Sequence, residues 1–206
     1  MSQILMAGGD QPRFDPATLE HMFAFRHHIF HDRLGWDVTS DRGLEYDHFD
    51  QLDPVYLLAR DGQQRVEGCW RILPTTGPYM LRDTFPQLLG DTPAPCAPGV
   101  WELSRFAVEP GDSVCSQARL NQVAMDMMRR AYEFAIEHHI SHYVTVTSVA
   151  LERLMKAGGI PLIRLGDGKA QRIGKVLTVA CWIAIDEPLH QALYPAQEVA
   201  GTRHAA

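Results

Sequence analysis

LNQVAMDMMRRAYEFAIEHHISHYVTVTS (residues 120–148) joins two periodicities, and the junction decides the fold class. Leu120, Val123, Ala124, Met127, Met128, Ala131, Phe134 and Ala135 recur at helical spacing, which predicts a core-facing helix over 117–138. Then Thr145 and Thr147 alternate with Val144 and Val146, the two-residue period of a strand over 142–148. Working outward, 100–108 reads as a strand before this unit. After it come a helix (149–157), a short strand (161–165), a turn at Gly166-Asp167-Gly168, a long strand (175–185) and a short helix beginning after Pro188. Toward the N-terminus, a strand at 4–6 precedes Asp15-Pro16, an N-cap and a proline at the first helical position, for a helix over 16–33. A polar, acidic loop (37–54) and strands at 55–60 and 65–73 follow. The proline- and glycine-rich stretch 74–99 has room only for a short helix near 85–89. This mixed order predicts an α/β fold with one sheet and helices on both faces. With no repeat and no long linker, residues 1–206 read as one domain.

Composition narrows the function classes. With 206 residues and 46% hydrophobic content, the chain can bury a sizeable core. No long apolar run predicts a membrane span, and the first residues lack the basic-then-apolar pattern of a signal peptide. Cys69, Cys96, Cys115 and Cys181 lie far apart, without a C-x-x-C pair, which fits a reduced, cytoplasmic protein. His27 and His31 are four apart, but H-E-x-x-H is missing, so they read as surface residues and no metal is expected. The net charge of −6 is uneven. Residues 1–118 hold nine Lys/Arg against seventeen Asp/Glu, whereas 119–175 hold nine against five. That asymmetry suits one site for a cation and another for an acidic partner, and it disfavours nucleic acid.

Several residues look chemical. Arg26 shares a helical stripe with Leu19, Met22, Phe23, Phe30 and Arg33, so its guanidinium either meets carboxylates inside or snorkels to water. Glu45, Asp47 and Asp50 crowd three negative charges into six residues, and these call for nearby cations unless the loop is simply solvated. Phe30 and Trp36 flank them. Aromatic faces beside carboxylates suit a poorly hydrated cation, although core packing explains an aromatic equally well. In Trp101-Glu102-Leu103-Ser104-Arg105-Phe106, a regular strand places Glu102, Ser104 and Phe106 opposite Arg105. Glu102 and Arg105 can share a site only if a β-bulge re-aims one of them.

Taken together, these motifs resemble the acyl-homoserine-lactone (autoinducer) synthase family. The likeness runs from Phe25-Arg26, Phe30 and Gly35-Trp36-Asp37-Val38 through Glu45-x-Asp47-x-x-Asp50. It continues in Gly68-Cys69-Trp70-Arg71-Ile72-Leu73-Pro74, Phe85-Pro86 and Trp101-Glu102-Leu103-Ser104-Arg105-Phe106, with a weaker echo to about residue 166. The resemblance implies a GCN5-type N-acetyltransferase-like three-layer α-β-α sandwich, with a mixed, twisted sheet and splayed central strands. It implies acylation of S-adenosyl-L-methionine, a substrate rather than a cofactor, followed by lactone closure and release of 5′-methylthioadenosine. On this reading Arg26, Phe30, Arg33, Trp36, Asp47, Asp50, Arg71 and Phe106 bind S-adenosylmethionine, while Glu102, Arg105 and Glu45 serve catalysis, one glutamate as base. Met80, Leu103, Met127, Thr145 and Thr147 line the acyl pocket.

The acyl donor is acyl-carrier protein or acyl-CoA. Residues 109–119 lack the pyrophosphate loop pattern of coenzyme-A users, which leans toward the carrier protein. Arg153, Lys156, Arg164, Lys169, Arg172 and Lys175 would dock it, unless they form only a solvated basic face. The expected state is a monomer or weak dimer. Two rivals stay open: an acyltransferase of the same fold acting on another amine, and a binding protein without turnover.

Overall fold

Nine residues of one strand, Val100–Val108, organise the molecule, because they pair differently along their length. The computed structural model describes residues 2–109 and 120–195. In chain order these form β1 (Gln3–Ala7), α1 (Pro16–His27), a π-helical segment (His28–Arg33), and a small hairpin of β2 (Ser40–Asp41) and β3 (Leu44–Glu45). A 3-10 turn (His48–Gln51), β4 (Val55–Arg60), β5 (Val66–Pro74), α2 (Met80–Asp83) and a second 3-10 turn (Pro86–Leu89) lead to β6 (Val100–Val108). Then come α3 (Gln122–Glu137), β7 (His142–Ser148), α4 (Val149–Ala157), β8 (Ile163–Arg164), β9 (Gln171–Ile173), β10 (Val176–Ala184) and α5 (Glu187–Leu193).

The main sheet has the order β1-β4-β5-β6-β7-β10-β8, with β9 also on β10. Its pairings are antiparallel except β6 with β7, which run parallel. That parallel pairing stops at Leu103↔Thr145, while β7 stays paired to β10 as far as Ser148. Residues 104–108 therefore leave their neighbour, and a V-shaped slot opens in the middle of the sheet.

One face of the sheet packs Leu57, Trp70, Ile72, Leu103 and Tyr143 against Met127 and Phe134 of α3, with α5 and the buried side of α4 completing the layer. The other face carries two separate clusters. Met22, Phe25, Ile29 and Phe30 cover Tyr56 and Leu58, and Tyr79, Leu81, Leu88 and Leu89 cover Val144 and Ala180. The polar site lies between those two covers. The result is the three-layer α-β-α sandwich of the GCN5-type N-acetyltransferases, and no helix among the described residues is long and apolar enough to cross a membrane.

Local chemistry accounts for the element ends. The Asp15 side chain accepts from the Thr18 N–H with Pro16 beginning the helix, and the Asn121 side chain caps α3 through the Ala124 N–H. The expected helix over 16–33 is continuous but changes winding at His28, where Leu34 N–H donates to Ile29 O, five residues back. Within 74–99 there are two short helical pieces instead of one, since Glu102 holds the start of α2. Residues 117–119 of the helix expected over 117–138 lie outside the described residues, as does Cys115.

Gly166 fixes the last turn against the site's far cover. Its φ is 66°, and a Cβ there would sit 2.7 Å from Leu88 O and 2.8 Å from Leu89 O. Gly166→Ala is expected to cost about 2 kcal/mol and to lower the melting temperature by about 4–8 °C. An unchanged thermal melt would show that the turn does not brace the Pro86–Leu89 segment.

Candidate active site

The site begins with a bulge. Cys69 pairs with Ala107 and Arg71 with Ser104, so Arg105 and Phe106 together oppose Trp70. Arg105 takes φ 58°, a left-handed conformation costly for a residue with a side chain. The extra residue breaks the strand's alternation, and Arg105 joins Glu102 and Ser104 on the face covered by α1. The parity conflict in the sequence is resolved by the bulge it calls for.

Three arginines and three carboxylates close on one another at this face. Arg26 donates from Nε to Glu45 Oε2, and pairs both Nη atoms with the two oxygens of Asp50 at 2.8 and 3.1 Å. Arg71 pairs bidentately with Asp47 at 2.6 and 3.2 Å, reaches Asp50 Oδ1 at 2.9 Å, and donates from Nε to Ser104 Oγ. Arg105 donates from Nε to Glu45 Oε1 and from Nη2 to Asp47 Oδ2, both at 2.9 Å. Asp47 also caps the His48–Gln51 turn, and Asp50 accepts the Asp47 N–H in return. Six formal charges thus cancel in a region where Arg26, Glu45 and Arg71 have at most 1% exposure.

The electrostatics follow from that closure. Burial works against charging Asp50, but Arg26 and Arg71 outweigh it and hold the carboxyl well below the usual range. Burial also opposes the Arg26 charge, and Asp50 with Glu45 overcomes it. Arg105 goes the other way: burial lowers its pKa and Glu45 only partly restores it. Glu102 is different again. Burial dominates and lifts it to about 7, although Met80 and Leu81 each donate a backbone N–H to one of its oxygens, at 2.9 and 2.7 Å.

Aromatic rings complete the open side. Phe30 and Trp36 stack at 5.1 Å and 10°, and the Arg105 guanidinium lies 5.7 Å from the centre of the Phe30 ring. Cys69 is buried beneath, and burial pushes its thiol up to about 12. On the opposite face of the sheet is an apolar crevice lined by Trp70, Leu103, Met128, Tyr143, Met155 and Ile183, among others. The Trp70 indole N–H is buried there with no hydrogen-bond partner among the described residues.

The structure brings Arg26, Glu45, Asp47, Asp50, Arg71, Glu102, Arg105, Phe30 and Trp36 together, and it separates others. Arg33 leaves the stripe because the π winding rotates it outward, to a 3.6 Å contact with Glu109 at 39% side-chain exposure. Phe106 is on the far side, packed on Trp70 at 4.7 Å, because the bulge that turns Arg105 inward turns Phe106 away. Met80 is not with the apolar crevice. Its sulfur lies 3.0 Å from Arg71 Nη2, on the charged face. Leu103 lines the crevice, Thr145 and Thr147 share its face of β7, and Met127 is fully buried deeper in the same core. Of the basic residues, Lys156 and Arg164 are both paired with buried Glu152, and Lys169 with Asp167. Tyr56 was not among the expected residues, yet its hydroxyl donates to Asp50 Oδ1 at 2.7 Å. The signal for it was faint: a tyrosine at an inward strand position, whose buried hydroxyl needs a partner.

A GCN5-type sheet slotted at its centre, with a charge-balanced polar pocket on one face and an apolar crevice on the other, defines an acyltransferase class of site. The profile of the autoinducer synthase family matches residues 10–193. The acyl-homoserine-lactone synthase of Vibrio anguillarum is 43% identical over 166 residues, covering 81% of this chain and 86% of that protein. Among solved structures, the synthase LasI superimposes with a TM-score of 0.83 at 36% identity, over 94% of this chain and 95% of that one. The CoA-dependent synthase BjaI, solved with SAM and isopentyl-CoA, gives 0.73 at 28% identity over 86% and 80%. At the level of fold alone, the likeness extends to an N-acetyltransferase from Lactobacillus plantarum, with a TM-score of 0.59 at 12% identity over 90% of this chain and 99% of that one. The chain belongs to the autoinducer synthase family. It is an enzyme of the acyl-homoserine-lactone synthase type.

Removing one member of the closed set leaves its partners buried and unpaired. Arg26→Ala is expected to cost about 3–5 kcal/mol of stability, and Tyr56→Phe, which removes one hydrogen bond to Asp50, about 1.5 kcal/mol. Urea unfolding of the two variants measures the difference, and equal losses would contradict the pairing described.

Proposed function

We propose that this chain makes N-acyl-L-homoserine lactone from S-adenosyl-L-methionine and an acyl thioester, with the two substrates meeting in the slot between β6 and β7. One observation carries the reading: a charge-neutral set of arginines and carboxylates that includes Arg105 of β6 lies on one face of the sheet, and an apolar crevice lined by Leu103 of the same strand lies on the other. A zwitterion with an added sulfonium suits the first, and a fatty chain suits the second.

In this mechanism Arg105 holds the methionyl carboxylate with N–H groups not spent on Glu45 and Asp47. It is the most exposed of the three arginines, with 13% side-chain exposure. Asp47, at 12%, faces the ammonium. The Phe30–Trp36 stack takes the sulfonium end. Glu102 accepts the proton that the α-amine must lose. The other three carboxylates are bound by guanidiniums, whereas Glu102, at about 7, is matched to proton transfer near neutrality. Each of its oxygens keeps a lone pair beyond its one backbone bond, so a water can relay the proton.

The amine nitrogen attacks the thioester carbonyl, and the C–S bond breaks as the amide forms. Backbone N–H groups of the β6 segment released from β7 steady the oxyanion; the departing thiolate takes the first proton from Glu102, and the second proton, lost by the nitrogen as the amide forms, passes to Glu102 and on to solvent. The methionyl carboxylate then attacks its own γ-carbon and expels 5′-methylthioadenosine, with no further proton needed. That closure is intramolecular, so holding the chain folded supplies much of the rate.

Acyl-carrier protein is the donor favoured here, docked on the basic face that includes Arg153, Arg172 and Lys175. Glu152 positions Lys156 and Arg164 beside them while neutralising part of their charge.

Incubating the purified protein with S-adenosylmethionine and either acyl-carrier-protein or acyl-CoA donors is expected to release acyl-homoserine lactone and 5′-methylthioadenosine in equal amounts, with the carrier-protein donor preferred. Neither product from either donor would end the proposal. Because the base must be ionised, kcat/KM is expected to rise with pH and level off above about 7. Glu102→Gln is expected to lose that limb and about 100-fold or more in rate. An unaltered pH profile in this variant would remove Glu102 from the role.

The unpartnered Trp70 N–H supports a further contact, a hydrogen bond to the thioester carbonyl. Trp70→Phe is expected to lower kcat/KM about tenfold, equally for 3-oxo and unsubstituted donors. A loss confined to 3-oxo donors would move the contact to C3 of the chain.

A further inference from the structure

We infer that His27, His31 and Asp32 form a binding site for a zinc-class divalent cation, with His28 beside Asp32. The four lie where α1 passes into the π segment, outside the arginine–carboxylate set. Two histidines at a four-residue spacing are a weak pointer without a carboxylate and a third ligand. The change of winding supplies both. In an α-helix, Asp32 would sit well round the barrel from His27. The five-residue spacing of the π segment brings it alongside, with Asp32 Oδ1 3.5 Å from His27 Nε2 and 2.9 Å from His31 Nδ1. His28 Nδ1 lies 3.5 Å from the other oxygen of Asp32. Among the described residues, the donor atoms of His27, His31 and Asp32 are the one such trio lying within 4.8 Å of one another.

A second observation concerns the His27 ring. Ser40 Oγ lies 2.5 Å from His27 Nδ1 and has a second acceptor in Leu44 O at 3.2 Å, so the ring nitrogen can be the donor to Ser40. In that pairing His27 donates from Nδ1 and presents the Nε2 lone pair toward Asp32. This is the outer-shell arrangement that orients metal-bound histidines elsewhere. The rings of His27 and His31 stack at 4.7 Å and 13°, and they must hinge open for both nitrogens to reach one ion. His31 and His28 are each 54% exposed and Asp32 48%, so that movement meets little packing. Ligand atoms about 2.0–2.2 Å from zinc stand about 3.3 Å apart, close to the spacings already present.

Tag-free protein titrated with Co2+, followed by visible absorption, and with Zn2+, followed by calorimetry, tests the site without any reference to lactone synthesis. One equivalent is expected to bind with a ligand-field spectrum of low coordination number. His31→Ala and Asp32→Asn are each expected to weaken binding tenfold or more, Ser40→Ala about tenfold, and His190→Ala not at all. No uptake, or uptake that survives His27→Ala combined with His31→Ala, would overturn the inference.

Discussion

Three guanidiniums can lie under a sheet only if three carboxylates are folded back over them. The segment Glu45–Asp50 does this with almost no slack. Asp47 and Asp50 are fixed both by their own backbone, as cap and third residue of a short turn, and by Arg71, Arg26 and Arg105. Everything nearby answers to this arrangement: the depth of α1, the bulge that turns Arg105 inward, and the tyrosine that takes up a remaining lone pair of Asp50. Replacing the set with apolar residues of like volume could give an equally stable protein.

Much of this was legible in the residues. The helix 122–137 and the strand after it follow from spacing, and the cap at Asp15-Pro16 from residue type. The conflict between Glu102 and Arg105 was visible as a parity problem, and its resolution by a bulge was one of two stated outcomes. What periodicity could not reveal was a change of period. The stripe from Leu19 to Arg33 assumes one winding throughout, so the π segment at 28–33 exposes Arg33 instead of burying it. Phe106 failed for a related reason, since a bulge inverts every position beyond it. Met80 was invisible for a third reason. Its place depends on Glu102 gripping the start of α2, a contact 22 residues away in the chain.

The basic face shows how counting charges overstates them. Lys156 and Arg164 share the buried carboxylate of Glu152, which the same pairing holds at about 2. These two side chains are thus held in fixed positions while part of their field is cancelled. A partner would meet a shaped surface more than a diffuse positive cloud, and shape is the better discriminator between acidic proteins of similar charge.

The early end of the β6–β7 pairing makes the sheet a partition with a doorway rather than a solid floor. Under the proposed mechanism, two molecules of opposite character come to the doorway from opposite rooms, each solvated by surroundings that suit it until contact. Neither stands in the other's path, so their order of arrival is governed by affinity and abundance, and a chain of greater length lengthens only its own side of the journey.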